Sequence, residues 1–141
     1  MVEKKSILDF LGLNKTINEI HIRKSVFDNI IEFSKTTYPR EFLAFFEGDF
    51  KEGILMIEDL LFQPYIADRE SAWPRLNFPT TSKVIGSVHS HPGGSNRPSR
   101  SDLGFFQKTG IVHGIINSPY SRDDFVLYDL HGDRLPFREV E

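Results

Sequence analysis

Apolar and polar positions change period several times along this chain, and each change marks an element. Ile20-His21-Ile22 alternates as a brief strand with His21 outward. From Ser25 to about Lys35, the residues Val26, Phe27, Ile30, Ile31 and Phe33 recur at helical spacing, which predicts a helix capped by Ser25 that lays a broad stripe on a core. Pro39 ends it. Glu41 opens the next strand, and the near-continuous apolar run Phe42 to Phe46 predicts burial on both faces. Residues 53 to 62 alternate Ile54, Met56 and Glu58 against Leu55, Ile57 and Asp59, a further strand. No period holds from Pro64 to Pro79, which includes Tyr65, Trp73 and Pro74. A connection of that length reads either as a substrate-facing flap or as an Ω-loop pinned by Trp73.

Val84 to Val88 is unbroken in apolar and small residues and reads as a buried strand that stops at Pro92. A glycine-rich turn follows, then helical spacing at Leu103 and Phe106 up to Gly110, with Ser99 as N-cap. Ile111 to Asn117 is another buried strand, and His113 within it reads as a satisfied core histidine. Phe125 to Tyr128 and Leu135 to Val140 are expected to pair as a hairpin around Asp129-Leu130-His131-Gly132-Asp133. That loop's spacing invites a metal reading, but its glycine and short polar residues are what a turn requires. Strands interleaved with helical patterns predict an α/β fold with a mixed central sheet flanked by helices. At 141 residues there is one domain, assigned to residues 20–141. Residues 1–19 form an N-terminal extension whose Ser6 to Gly12 stretch puts Ile7, Leu8 and Leu11 on one helical face. It is expected to pack on the domain, with a homodimer arm as the other use of such a patch.

Composition removes several classes of function. A net charge of −3 supplies no basic footprint for nucleic acid, and no stretch of apolar residues is long enough to span a membrane. The chain has no cysteine, so a disulfide scaffold is impossible; without a leader-like opening, a cytoplasmic location is the default expectation.

The chemistry gathers after Val88. Side chains alternate along a strand, so His89 and His91 leave one face with Cα atoms roughly 6.6 Å apart, close enough to converge on one ion. With Ser99 as N-cap, Asp102 occupies the third helical position, where the helix dipole keeps a carboxylate ionised. Two imidazoles and a carboxylate with no fourth protein ligand describe a catalytic zinc site with an open coordination position, and no cysteine is present to close it. Separately each piece is common, Ser-x-x-Asp above all as a plain capping pattern. Together the spacing is specific.

His89-Ser90-His91, seven residues, Ser99, two residues and Asp102 resembles the signature of the JAMM (MPN-plus) metalloproteases. Pro39-Arg40-Glu41 followed by Phe42 to Gly48 is similar to the segment that carries that family's upstream glutamate. Gly86-Ser87-Val88 and Gly110 to Ile116 look like its compact archaeal and bacterial members, so the likeness runs over about residues 20 to 138. The resemblance implies a cytidine-deaminase-like fold and one zinc ion per chain held by His89, His91 and Asp102. It further implies hydrolysis of peptide or isopeptide bonds, often at the C-terminal tail of a ubiquitin-like protein. By the same likeness Glu41 is the base that takes a water proton and returns it to the leaving amine. Ser99 can accept from the helix N-terminus and turn its hydroxyl hydrogen toward a tetrahedral oxyanion. The second zinc site of the endosomal deubiquitinases of this family uses a cysteine and cannot form here, so their linkage preference does not carry over.

Two other readings stay open at this point. Two histidines and a carboxylate also describe the facial triad of non-haem iron enzymes, in which Glu41 and Ser99 would have no assigned work. Some relatives of the fold act only as scaffolds. Among hydrolase substrates, a ubiquitin-like conjugate, a sulfur-carrier tail and an ordinary peptide all suit the chemistry.

Overall fold

The computed structural model describes residues 17–62 and 83–141. The helical stretch expected at Ser6 to Gly12 and the flap or Ω-loop expected at Pro64 to Pro79 lie outside the described residues. In chain order the elements are β1 (Glu19–Arg23), α1 (Lys24–Thr37), β2 (Leu43–Lys51), β3 (Ile54–Leu61), β4 (Val84–His91), α2 (Arg100–Thr109) and β5 (Val112–Asn117). A 3₁₀ turn (Arg122–Asp124) then leads into β6 (Phe125–Tyr128), β7 (Arg134–Leu135) and β8 (Arg138–Val140). Ile17, the first described residue, is already buried in the core.

All eight strands join one mixed sheet in the order β7-β6-β5-β4-β2-β3-β1-β8. The pairs β4–β5, β1–β3 and β1–β8 are parallel, and the remaining neighbours are antiparallel. The two edge strands are only a short link apart in sequence, because Leu135 ends β7 and Arg138 begins β8. Three extended residues reach at most about 10 Å, so the two edges of the sheet must come close and the sheet curls. This corrects the hairpin expected over Leu135 to Val140: Arg134 and Leu135 pair with β6, whereas Arg138 to Val140 cross to lie parallel to β1. Across the gap, Arg122 donates to both carboxylate oxygens of Glu139 at 2.9 and 2.8 Å and to Asp28 of α1 at 2.6 Å.

The curled sheet has a helix and a core on each side. One cluster contains Val26, Phe27 and Ile30 of α1 with Ile22, Ala44, Ile57, Val88 and Ile116. The other sets Phe105 and Phe106 of α2 against Phe45, Ile115 and Tyr128. Two details of α1 differ from the sequence pattern. β1 runs into the helix without a loop, so the N-cap is Arg23 in extended conformation and Ser25 lies inside the first turn, capping nothing. Phe33 is 37 % exposed, stacking on Phe42, and its expected place in the core stripe is taken by buried Ser34. Ser34 satisfies its hydroxyl by donating to the Ile30 carbonyl one turn back at 2.6 Å.

The alternation in β3 holds from Ile54 to Ile57, with Leu55 and Ile57 buried; it breaks at Glu58 and Asp59, which are both exposed where the register against β2 shifts. Phe42 and Ala44 to Phe46 are buried, as an apolar run in the middle of a covered sheet requires. β2 itself begins at Leu43, two residues after Glu41. The Asp129 to Asp133 loop is a turn: the Asp129 carboxylate accepts the His131 and Asp133 amides at 2.8 and 3.0 Å, which occupies it with backbone.

Candidate metal centre

β4 is central in the sheet because Gly86 lets β5 approach it: a Cβ there would stand 1.6 Å from the Val112 carbonyl oxygen. Buried on both faces, the strand carries His89 and His91 to its C-terminal end, on the side covered by α2. Their Nε2 atoms stand 3.1 Å apart. His89 is almost fully buried and His91 partly so.

α2 supplies the third group. Ser99 is its N-cap, and a reciprocal capping box joins Ser99 and Asp102. Asp102 is 5 % exposed, with Oδ1 3.2 Å from His89 Nε2 and Oδ2 3.2 Å from His91 Nε2. Burial opposes ionisation of this carboxyl, but hydrogen bonding to His89 and His91 outweighs it and holds the group well below the usual carboxylate range. The same contact with Asp102 is the main reason that the His91 pKa is raised.

Glu41 reaches the site through strand register. Leu43 of β2 lies opposite His89, so continuing the register by two residues places Glu41 opposite His91 on the same face. Its carboxylate, His89 and His91 each offer a donor atom within 4.8 Å of the others, a gap that one water or ion can bridge. Glu41 and Ser99 are exposed whereas His89 and Asp102 are buried, so the cluster is closed toward the core and open toward solvent.

The donors fit a zinc ion. Four ligands at tetrahedral angles and bond lengths of about 2.0–2.1 Å lie roughly 3.3 Å from one another, close to the 3.1 Å between the two imidazole Nε2 atoms and to the 3.2 Å at which each of them meets its own oxygen of the Asp102 carboxylate. The tautomer fits as well. Nδ1 of His91 is 2.9 Å from the Ser95 carbonyl, which can only accept, so this nitrogen carries a proton, and in its neutral form His91 presents the Nε2 lone pair toward His89 and Asp102. This role of Ser95 was not visible in the Gly93 to Asn96 stretch, which read only as a turn. The turn is fastened: Tyr128 donates its hydroxyl to the Asn96 carbonyl at 2.7 Å, and the Asn96 side chain donates to the Asp124 carbonyl at 3.2 Å.

The five residues singled out in the sequence thus meet in one place. His113 does not join them. It is fully buried, with Nδ1 2.7 Å from the Ser87 hydroxyl and Nε2 3.0 Å from the Gly110 carbonyl. Its ring stacks on Phe106 at 4.3 Å, and burial pushes its pKa down to about 3. It is a neutral core histidine, as expected.

The model of the family described as prokaryotic homologs of the JAB domain matches residues 23–128. A protein of Haloferax volcanii named a probable metalloprotease is 33 % identical over 122 residues, covering 81 % of this chain and 75 % of that protein. A JAB1/MPN domain protein from Archaeoglobus fulgidus superposes with a TM-score of 0.69 at 31 % identity, over 86 % of this chain and 99 % of that one. A structure described as a JAMM metalloprotease-like zinc site in the proteasome and signalosome superposes at 0.67 with 28 % identity, over 88 % of this chain and all of that one.

Proposed function

Because the chain belongs to the family of prokaryotic homologs of the JAB domain, within the JAMM/MPN group, we propose that it is a zinc-dependent hydrolase of peptide or isopeptide bonds. Its proposed substrate is the C-terminal tail of a ubiquitin-like or sulfur-carrier protein. The observation that carries the reading is the meeting of His89, His91 and Asp102 at 3.1 to 3.2 Å with the Glu41 carboxylate beside them.

In this reading His89, His91 and Asp102 hold the zinc, which when bound supplies Lewis acidity toward a water and the scissile carbonyl. Glu41, outside that trio and open to solvent, takes the proton of the attacking water and delivers it to the leaving amine. Ser99 keeps its oxygen on the Asp102 amide at 3.1 Å, and with the Ser101 hydroxyl 3.2 Å away acting as a donor to it, its own hydroxyl hydrogen is left to direct at the developing oxyanion. Burial of His89 and Asp102 keeps competing water away from the inner side of the cluster, and the exposed side admits an extended chain. A cytoplasmic setting suits a chain with no cysteine, which draws no benefit from an oxidising compartment.

The test is a panel of ubiquitin-like and sulfur-carrier proteins, each fused through its tail to a reporter by a peptide or isopeptide bond. The zinc-loaded protein is expected to cleave at the tail, and a chelator to stop it. Intact fusions throughout, with zinc bound, would sink the hydrolase reading. Cleavage of unfolded peptides alone would remove the tail specificity.

A further inference from the structure

The chain between the two ligand histidines carries a second device. Ser90 points to the opposite face of β4 and is fully buried. Its partner across the strand boundary is Phe42, the residue after Glu41. Ser90 donates its backbone N–H to the Phe42 carbonyl at 2.9 Å, as in a regular antiparallel pair. A regular pair would return the bond from the Phe42 N–H to the Ser90 carbonyl. Instead that N–H donates to the Ser90 hydroxyl oxygen at 2.7 Å. The rung is diverted from backbone to side chain at the one pair that lies between Leu43 opposite His89 and Glu41 beside His91.

The geometry points to Ser90 as the positioning residue of Glu41: its hydroxyl fixes the Phe42 peptide and so sets where the preceding carboxylate stands relative to the histidines. This rests on the hydrolase reading above only for its consequence in turnover. Glu41 lies outside both helix and strand and is exposed, so its own side chain is not held by a packed core. What fixes it is its backbone, and the Phe42 rung is the first anchor after it. One serine thus links the ligand strand to the base, so that the two histidines and Glu41 share one reference frame.

Ser90→Ala removes the acceptor and leaves the Phe42 side chain in its aromatic stack. The expected result is a kcat lower by about 10 to 100-fold, the scale on which a small displacement of a reacting group acts, with KM and zinc content unchanged. Ser90→Thr, which keeps the hydroxyl, should restore turnover. In a Glu41→Gln background Ser90→Ala should cost nothing further, because the group it positions no longer acts. A readout without substrate is the paramagnetic broadening of the Glu41 side-chain resonance in cobalt-loaded protein, expected to weaken in Ser90→Ala and persist in Ser90→Thr. Wild-type kcat in Ser90→Ala, multiplying losses in the double variant, or unchanged broadening overturns the proposal. If the wild type cleaves no amide bond while Ser90→Ala still loosens Glu41 from the ion, the hydrolase reading falls and the role of Ser90 stands. Should Ser90→Ala not fold, Ser90→Cys keeps the volume with only a weak sulfur acceptor, and the same outcomes decide.

Discussion

Ser99 and Asp102 hold each other in place: the Asp102 N–H donates to the Ser99 hydroxyl oxygen at 3.1 Å, and the Ser99 N–H donates to Asp102 Oδ2 at 2.8 Å. The bond that starts α2 is therefore also the clamp on the carboxylate facing His89 and His91. Helix capping and the proposed ligand role use the same atoms, so removing the aspartate should have two separable effects.

Asp102→Ala is expected to abolish zinc binding and to cost about 1 kcal/mol of stability through the weakened helix start. Asp102→Asn keeps an oxygen to accept the Ser99 amide, so it should retain most of the stability while losing the charge that binds the ion. His89→Ala should lose the zinc without touching the cap. Elemental analysis and denaturant titration of the metal-free forms separate the effects; undiminished zinc in His89→Ala and Asp102→Ala would refute the ligand set.

Glu41→Gln keeps shape and hydrogen bonding but removes the proton-accepting carboxylate. Zinc is expected to stay bound and hydrolysis to fall on the order of 10² to 10⁴-fold, with KM little changed. Loss of zinc together with rate would make Glu41 a ligand. Full activity would refute this role, and neither Glu47 nor Glu58 could take it over: Glu47 pairs with Val84 at the far end of β4, and exposed Glu58 lies on β3, which is not adjacent to β4.

The strand that carries His89 and His91, the helix that follows it and its cap were legible in the sequence because each depends on local order: alternation on a strand, and Ser-x-x-Asp at a helix start. The meeting of Glu41 with the histidines was legible only through family likeness, since it depends on the register of β2 against β4, which no single stretch encodes. The closure of the sheet by Arg138 to Val140 was not legible, because three residues with exposed or half-buried side chains carry no period, and β8 is held by its parallel pairing with β1 and by the Arg122–Glu139 ion pair. Ser25 resembled a cap because serine before an apolar stripe usually is one. Here β1 feeds the helix directly, and the boundary moved upstream.

Gly86→Ala is expected to destabilise the fold by several kcal/mol, since the new methyl would displace the Val112 carbonyl and open the β4–β5 ladder directly upstream of His89. Thermal unfolding of the metal-free protein measures it. A melting temperature equal to the wild type would show that β5 can shift without cost, and that the close approach does not hold β4 in place.

His113 makes the stability pH-dependent with a definite sign. Its folded pKa is pushed down to about 3 by burial, while an unfolded histidine titrates near 6.5. Between those values the unfolded chain binds a proton that the folded chain refuses, so stability is fully present above pH 6.5 and is lost progressively as the pH falls. From pH 8 to pH 5 this group should remove about 2 kcal/mol. His91 acts with the opposite sign, because its contact with Asp102 raises its pKa: its contribution is present below pH 6.5 and disappears as the pH rises through the folded value. The wild-type curve alone therefore mixes the two. His113→Gln has an amide N–H for the Gly110 carbonyl and an oxygen for the Ser87 hydroxyl, and it does not titrate; the lost stacking on Phe106 is a cost independent of pH. Subtracting its denaturant-derived stability from that of the wild type, both with chelator, isolates His113. The difference in favour of the wild type should shrink on going from pH 8 to pH 5. A difference that stays constant over that range would mean that His113 charges inside the folded protein, and that the Ser87 and Gly110 contacts do not enforce the neutral ring.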